Sequence, residues 1–253
     1  MAKPKLFIFD VDGSFRDSSK AISEGISSGF ISIGQRYPYK TKEVWNLMGV
    51  GKYNSRLKLI EALYAISMLK KDINEILSNP DAEKELDYMT QNNLNDADRA
   101  RIEKICEIST KFLTTSMARQ LIEVYPYGVG AIDLLKSKNY KVAILTNSGI
   151  ETVRRDLNHL GLEGFSGIVA KEDLPGNKPS GEGIKKLMDS LGMGPEETLH
   201  TGDSAVDIRA AKDAGCLSAA ILCGTGLDHH LRKENPDHIF QNVWDLSKHF
   251  CRD

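Results

Sequence analysis

A chain of 253 residues, 41% hydrophobic and 27% charged, has the composition of an ordinary globular protein, long enough for one large domain or a core with a smaller companion. A formal net charge of -2 and a pI near 6.3 supply no overall attraction to nucleic acid or an anionic membrane. The four apolar residues after Lys5 are too few for a signal-peptide core or a membrane span. Cys106, Cys216, Cys223 and Cys251 lack zinc-site spacing and disulfide density, so free thiols in a cytoplasmic protein are expected.

The first apolar run, Leu6 to Phe9, reads as a buried strand and ends in Asp10-Val11-Asp12-Gly13-Ser14. Two carboxylates one residue apart place negative charge at the rim of a sheet, where ligands of open α/β sheets bind. The same residues also suit a plain turn, and alone they leave both readings open. Strand-like runs are then scarce from 16 to 125. Ser55 to Leu77 and Ala97 to Arg119 are compatible with helix, and Leu57, Ile60, Leu63, Tyr64, Ile66 and Leu69 recur near helical spacing. Within this region Gly49 to Arg56 contains two glycines and the cations Lys52 and Arg56. It is not a P-loop, because no strand precedes it and Tyr53 follows Lys52 where Ser or Thr is required.

Tyr125-Pro126-Tyr127-Gly128 marks the return to alternating elements. Apolar runs at Val142 to Leu145, Ile168 to Ala170, Leu199 to Thr201 and Ala219 to Leu222 alternate with helical patterns at Val129 to Lys138, Thr152 to Leu160, Gly183 to Leu191 and Ala205 to Ala214. Pro195 with Glu196 and Glu197 predicts a short helical turn. This alternation predicts an α/β fold with a doubly wound parallel sheet. Because one strand precedes the helical stretch and the others follow it, the helical unit is inserted: core over 1–15 and 126–253, helical cap over 16–125.

Three further motifs follow, two of them directly after strands. Thr146-Asn147-Ser148-Gly149 offers a hydroxyl and turn amides to an anion, although a helix N-cap is the commoner explanation. Asn177-Lys178-Pro179-Ser180 places a lysine in a loop before a helix, where it can neutralise a phosphoryl group or simply be solvated. In Thr201-Gly202-Asp203-Ser204-Ala205-Val206-Asp207 the two carboxylates lie one helical turn apart and can face one point. Capping and dipole pairing are the competing account. Four converging aspartates would repel one another, and oxygen-only ligands favour magnesium over zinc as the resolving cation.

In this order, with a helical insertion after the first, the four motifs resemble the haloacid dehalogenase superfamily, and within it the helical-cap phosphatases similar to phosphoglycolate phosphatase and β-phosphoglucomutase. The resemblance implies a Rossmann-like core and a catalytic set of Asp10 as nucleophile, Asp12 as proton donor and acceptor, and Thr146 and Lys178 on the phosphoryl group. It implies Mg2+ held by the Asp10 side chain, the Asp12 backbone carbonyl and Asp203, with Asp207 directly or through water. Asp12 favours phosphatases over true dehalogenases, which expel no alkoxide. Thr146, Asn147, Lys178, Lys52 and Arg56 are candidate contacts for a small phosphorylated metabolite, the last two through the cap loop, where a solvated interhelical turn is the other reading.

The sequence departs from the family pattern at Ser14 and Phe15, which keep the hydroxyl and the apolar character, and at Gly181 and Glu182, which predict a looser loop after Lys178. Arg16 is unexpected: it suits either an anionic substrate or the surface. The histidines are expected in turns or at the surface, with His229 and His230 pointing apart, while Cys216 and Cys223 suit core packing. Mg2+-dependent phosphomonoester hydrolysis is the leading expectation. A sugar-phosphate mutase, a phosphonate-cleaving enzyme using Lys52 and a non-catalytic phospholigand-binding protein are the alternatives.

Overall fold

The computed structural model describes residues 3–173 and 176–252. Met1, Ala2 and Asp253, which the expected core boundaries include, lie outside the described residues. The chain divides into two units, one of residues 1–16, 124–224 and 231–253 and the other of residues 17–123 and 225–230.

In chain order, strand β1 (Leu6–Phe9) is followed by the short strand β2 (Arg16–Asp17). Seven helices follow: α1 (Ser19–Ser32), α2 (Thr41–Met48), α3 (Arg56–Leu69), α4 (Ile73–Ser78), α5 (Ala82–Asn92), α6 (Asp96–Leu113) and α7 (Ser116–Gln120). The short β3 (Glu123–Val124) pairs with β2. The remaining elements alternate: α8 (Gly128–Ser137), β4 (Lys141–Leu145), α9 (Ile150–His159), β5 (Gly167–Val169), α10 (Glu182–Leu191), β6 (Thr198–Gly202), α11 (Ala205–Ala214), β7 (Leu217–Ile221), α12 (Asp228–Lys233), β8 (His238–Phe240) and α13 (Val243–Cys251). Pro195–Glu197 forms the expected helical turn.

The six-stranded sheet has the order β5-β4-β1-β6-β7-β8, and every described pairing is parallel. The α/β doubly wound parallel sheet is therefore present. Strand alternation sorts its side chains onto two faces. Phe7, Phe9, Val142, Ile144 and Leu199 pack with residues of α8, α9 and α13. Leu6, Ile8, Ala143 and Leu145 pack with residues of α10 and α11. The connections run outward from β1 in opposite directions, through β4 to β5 and through β6 to β8. Strand order therefore reverses at β1, and the crevice beyond the carboxyl ends of β1, β4 and β6 is the binding position such sheets create.

The helical unit has its own core. Residues 59–66 of α3 are all buried, so this helix is covered on every side. The helix-compatible stretch from Ser55 to Leu77 is not one helix: Lys70 adopts a left-handed conformation (φ 51°) and separates α3 from α4. Likewise the stretch from Ala97 to Arg119 divides into α6 and α7, with Thr115 accepting from Ala118 N–H as the new N-cap. Gly25 and Gly29 let α1 approach α6. A Cβ on Gly29 would lie 2.7 Å from Ile105 Cγ2 and 2.9 Å from its carbonyl oxygen.

His229 and His230 do not point apart as expected. Their ring centroids are 4.1 Å apart, and their Nε2 atoms lie 3.1 and 2.9 Å from the Leu77 carbonyl. That carbonyl belongs to the last turn of α4, where carbonyls lack helical partners. Among the described residues, no helix is long and apolar enough to cross a membrane.

Gly29→Val is expected to destabilise the protein by about 1–3 kcal/mol through overpacking against α6. Thermal or denaturant unfolding measures this, and unchanged stability would mean that α1 and α6 can separate at no cost.

Candidate active site

Three strand ends of the first unit build the site. Asp10 directly follows β1 and is buried, with its backbone N–H donating to the Thr201 carbonyl of β6 (2.9 Å). Asp203 and Asp207 follow β6, the first in the loop and the second in the first turn of α11. Oxygens of Asp10, Asp203 and Asp207 lie within 4.8 Å of one another, and all three residues are buried. Lys178 Nζ is 2.9 Å from Asp10 Oδ1 and 2.6 Å from Asp207 Oδ1.

Glycine makes the close approach possible. Gly13 has φ 75°, and a Cβ there would sit 2.0 Å from Asp203 Oδ2; a Cβ on Gly224 would sit 2.1 Å from the same atom. Asp203 thus lies between two backbones that any side chain would push away. Three buried carboxylates beside one lysine retain net negative charge. This oxygen-only donor set fits a hard divalent cation, with Asp10 and Asp203 as the residues suited to hold it.

Asp207 is more heavily engaged by the chain itself. Its Oδ2 accepts from Ser204 N–H (3.1 Å) and Ser204 Oγ–H (2.6 Å). His200 Nε2 lies 3.4 Å from Oδ1. Burial opposes ionisation of Asp207, yet Lys178 and His200 hold its carboxyl well below the usual carboxylate range. Burial also opposes charge on Lys178, but Asp10 and Asp207 prevail and push its pKa up. For Asp10, burial is the largest influence. Together with Asp207 and Asp12 it outweighs Lys178 and raises the pKa to about 7. Burial lowers the pKa of His200, favouring the neutral ring. His200 is fully buried on β6, contrary to the expected turn or surface position. Its alternation with Leu199 turns it to the face where Asp207 lies.

The second motif supports the third. Asn147 Nδ2 donates to the Lys178 carbonyl (3.3 Å), and Lys178 N–H donates to Asn147 Oδ1 (2.9 Å). Its amide therefore holds the lysine backbone, a role not visible in the motif alone. Thr146, buried after β4, accepts from Ser148 N–H at Oγ1 (3.1 Å). Gly181 does not loosen the next loop. A Cβ there would lie 2.5 Å from Ala214 N and 2.8 Å from the Ala210 carbonyl, and Gly181 N–H donates to Asp213 (2.8 Å). Close packing against α11 requires the glycine.

Arg16 is neither a surface residue nor open to a substrate. It is buried and pairs with Asp12 and Asp156. Asp156, 140 positions away in sequence, had no signal that could have joined it to the site. Ser204 had one, since Ser-x-x-Asp is a capping pattern. Cys223 lies beside the first motif, its thiol donating to the Gly13 carbonyl (3.3 Å).

In the helical unit, Lys52 pairs with Asp87 (2.8 Å), while Arg56 donates to Thr110 Oγ1 (2.8 Å). Burial lowers the Arg56 pKa, and among the described residues no carboxylate is paired with it.

A family model described as haloacid dehalogenase-like hydrolase matches residues 53–221, more than half of the chain. The chain is 27% identical over 244 residues to phosphoglycolate phosphatase 1 of Pseudomonas aeruginosa, covering 96% of this chain and 78% of that protein. It is 33% identical over 128 residues to the pyrophosphatase PpaX of Halalkalibacterium halodurans, covering 50% of this chain and 60% of that protein. A haloacid dehalogenase-like family protein from Streptococcus pneumoniae shares the fold, with TM-score 0.69, 18% identity, and coverage of 99% of this chain and 100% of that one.

A divalent cation held by Asp10 would compete with protons for its carboxylate. With its pKa at about 7, lowering the pH from about 8 to about 6 is expected to weaken Mg2+ affinity about tenfold. Calorimetric titration at both pH values checks this, and equal affinities would show that Asp10 is ionised throughout.

Proposed function

The chain belongs to the haloacid dehalogenase-like hydrolase family, and we propose that it is a Mg2+-dependent phosphatase acting on a small phosphate monoester through an aspartyl phosphate, in the manner of a phosphoglycolate phosphatase. The observation that carries this reading is the position of Lys178 Nζ, 2.9 Å from Asp10 and 2.6 Å from Asp207. A nucleophile, a cation suited to phosphoryl oxygens and a carboxylate fixing that cation share one point.

In this proposal an Asp10 carboxylate oxygen attacks phosphorus as the bond to the leaving oxygen breaks. Asp12 gives its proton to that oxygen. Asp12 then takes a proton from water as the water oxygen attacks phosphorus, releasing inorganic phosphate and restoring Asp10. Lys178 and Thr146 stabilise charge on the transferring group, and Asn147 keeps Lys178 in place. Asp10, Asp203, the Asp12 backbone carbonyl and Asp207 would hold Mg2+, Asp207 through water because its oxygens already serve Lys178 and Ser204. When bound, Mg2+ neutralises these carboxylates and screens Asp10 from an anionic substrate. The four free cysteines suit a reducing compartment such as the cytoplasm.

Arg56 is the better candidate in the cap for a second anionic group on the substrate, as in phosphoglycolate, because Lys52 already has Asp87. Arg56→Ala is expected to raise KM for phosphoglycolate about tenfold or more while leaving KM for p-nitrophenyl phosphate nearly unchanged. A uniform change would remove Arg56 from substrate recognition.

Asp10→Asn is expected to reduce p-nitrophenyl phosphate turnover roughly a thousandfold or more. Phosphate release from a metabolite panel with Mg2+ tests the activity itself. Isomer formation from a hexose-1-phosphate would replace hydrolysis by mutase chemistry, and binding without turnover would make the protein a sensor.

A further inference from the structure

The first motif contains a contact that the proposed chemistry does not account for. Arg16 Nε donates to Asp12 Oδ1 (2.8 Å) and Nη2 donates to Asp12 Oδ2 (3.0 Å), a two-pronged fork onto one carboxylate. The third nitrogen, Nη1, donates to Asp156 Oδ2. Asp156 Oδ1 in turn accepts from Arg155 Nε (3.0 Å). Side-chain exposure is graded along this chain of contacts: 5% for Arg16 and 10% for Asp156, but 28% for Asp12. The clamp is buried and the carboxylate it grips reaches outward.

A buried guanidinium is costly unless paired, and here two carboxylates from separate elements compensate it. Asp156 lies on α9, the helix that follows the Thr146 to Gly149 loop. Asp12 lies in the turn after β1, where Ser14 N–H and Phe15 N–H both donate to the Val11 carbonyl. Arg16 therefore ties the turn carrying Asp12 to the helix behind the phosphoryl loop. The fork uses one lone-pair site on each Asp12 oxygen, and a carboxylate has about four such sites. It fixes the carboxylate plane.

We propose that Arg16 is a positioning residue, anchored by Asp156, that fixes the Asp12 carboxyl for proton donation and thereby directs the enzyme toward esters with poor, alkoxide-type leaving groups. This rests on the acid role proposed for Asp12. In the step concerned, the bond from Asp10 oxygen to phosphorus forms, the bond from phosphorus to the leaving oxygen breaks with its electron pair on that oxygen, and the Asp12 proton moves to it. A leaving group that is already a stable anion gains little from the proton; an alkoxide depends on it.

The test compares kcat for phenyl phosphate, a poor leaving group, with kcat for p-nitrophenyl phosphate, a good one. The proteins are the parent, Arg16→Lys, Asp156→Asn, Asp12→Asn and the double variant Asp12→Asn/Arg16→Lys. Arg16→Lys keeps the charge and loses the fork. It is expected to lose about 10–100-fold on phenyl phosphate and no more than about threefold on p-nitrophenyl phosphate. Asp156→Asn, which keeps the fork and removes its anchor, should shift the ratio in the same direction by less, and it serves alone should Arg16→Lys fail to fold. The double variant should be no slower than Asp12→Asn, because Arg16 acts through Asp12. Equal losses on both substrates, or additive losses in the double variant, would overturn the inference. If Asp12→Asn discriminates between leaving groups and the clamp variants do not, the inference alone falls. If Asp12→Asn does not discriminate, the acid role falls and the inference with it.

Discussion

Like charge held out of water is the constraint around which the first unit is organised. Asp10, Asp203 and Asp207 are brought within 4.8 Å of one another in a buried setting, an arrangement that costs free energy without cations beside it. Lys178 supplies one positive charge between Asp10 and Asp207. The sheet order explains why the convergence occurs at all. β1 lies between β4 and β6, and the parallel registers Phe9 to Ile144 and Phe9 to Thr201 bring three strand ends to one rim. A different strand order would scatter the same residues.

The two carboxylates beside Lys178 are not equivalent, and their surroundings divide the work. Asp207 receives the short contact from Lys178, both Ser204 donors and the nearby His200, so its charge is satisfied by the protein. Asp10 has the longer contact with Lys178, and burial raises its pKa to about 7. The unsatisfied charge therefore resides at Asp10, the residue proposed to meet both a cation and an electrophilic phosphorus. A carboxylate fully satisfied by hydrogen bonds would be a poor nucleophile. Placing the capping serine on Asp207 suits Asp10 to the role proposed for it.

The alternation of apolar runs and helical patterns made the parallel core legible, because a buried strand and an amphipathic helix leave different periods in sequence. The motifs at strand ends were legible for the same reason, since the strand fixes where its last side chain emerges. β8 escaped notice because His238-Ile239-Phe240 is short and lacks a continuous apolar run. The breaks at Lys70 and at Thr114 and Thr115 escaped because neither proline nor glycine marks them; one is a left-handed lysine and the other a threonine cap. Arg16 was misread for a deeper reason. Its burial depends on Asp156 as well as on the nearby Asp12, and nothing local in the sequence points to a partner 140 positions away.

A common principle links the residues that the motifs alone did not reveal. Asn147 spends its amide on the Lys178 backbone, Ser204 its hydroxyl on Asp207, and Arg16 its fork on Asp12. Each supports one residue of the proposed site. Such supports matter because a displacement of about 1 Å in a reacting group can cost on the order of a hundredfold in rate. Asn147 comes from the end of β4, and Arg16 is tied through Asp156 to α9, so the rigidity of the sheet and its helices is transmitted to the loops. Loops alone, with few buried contacts, would leave Asp12 and Lys178 to sample many positions. The chemistry suggested by four short motifs thus depends on longer-range pairings that only the folded chain creates.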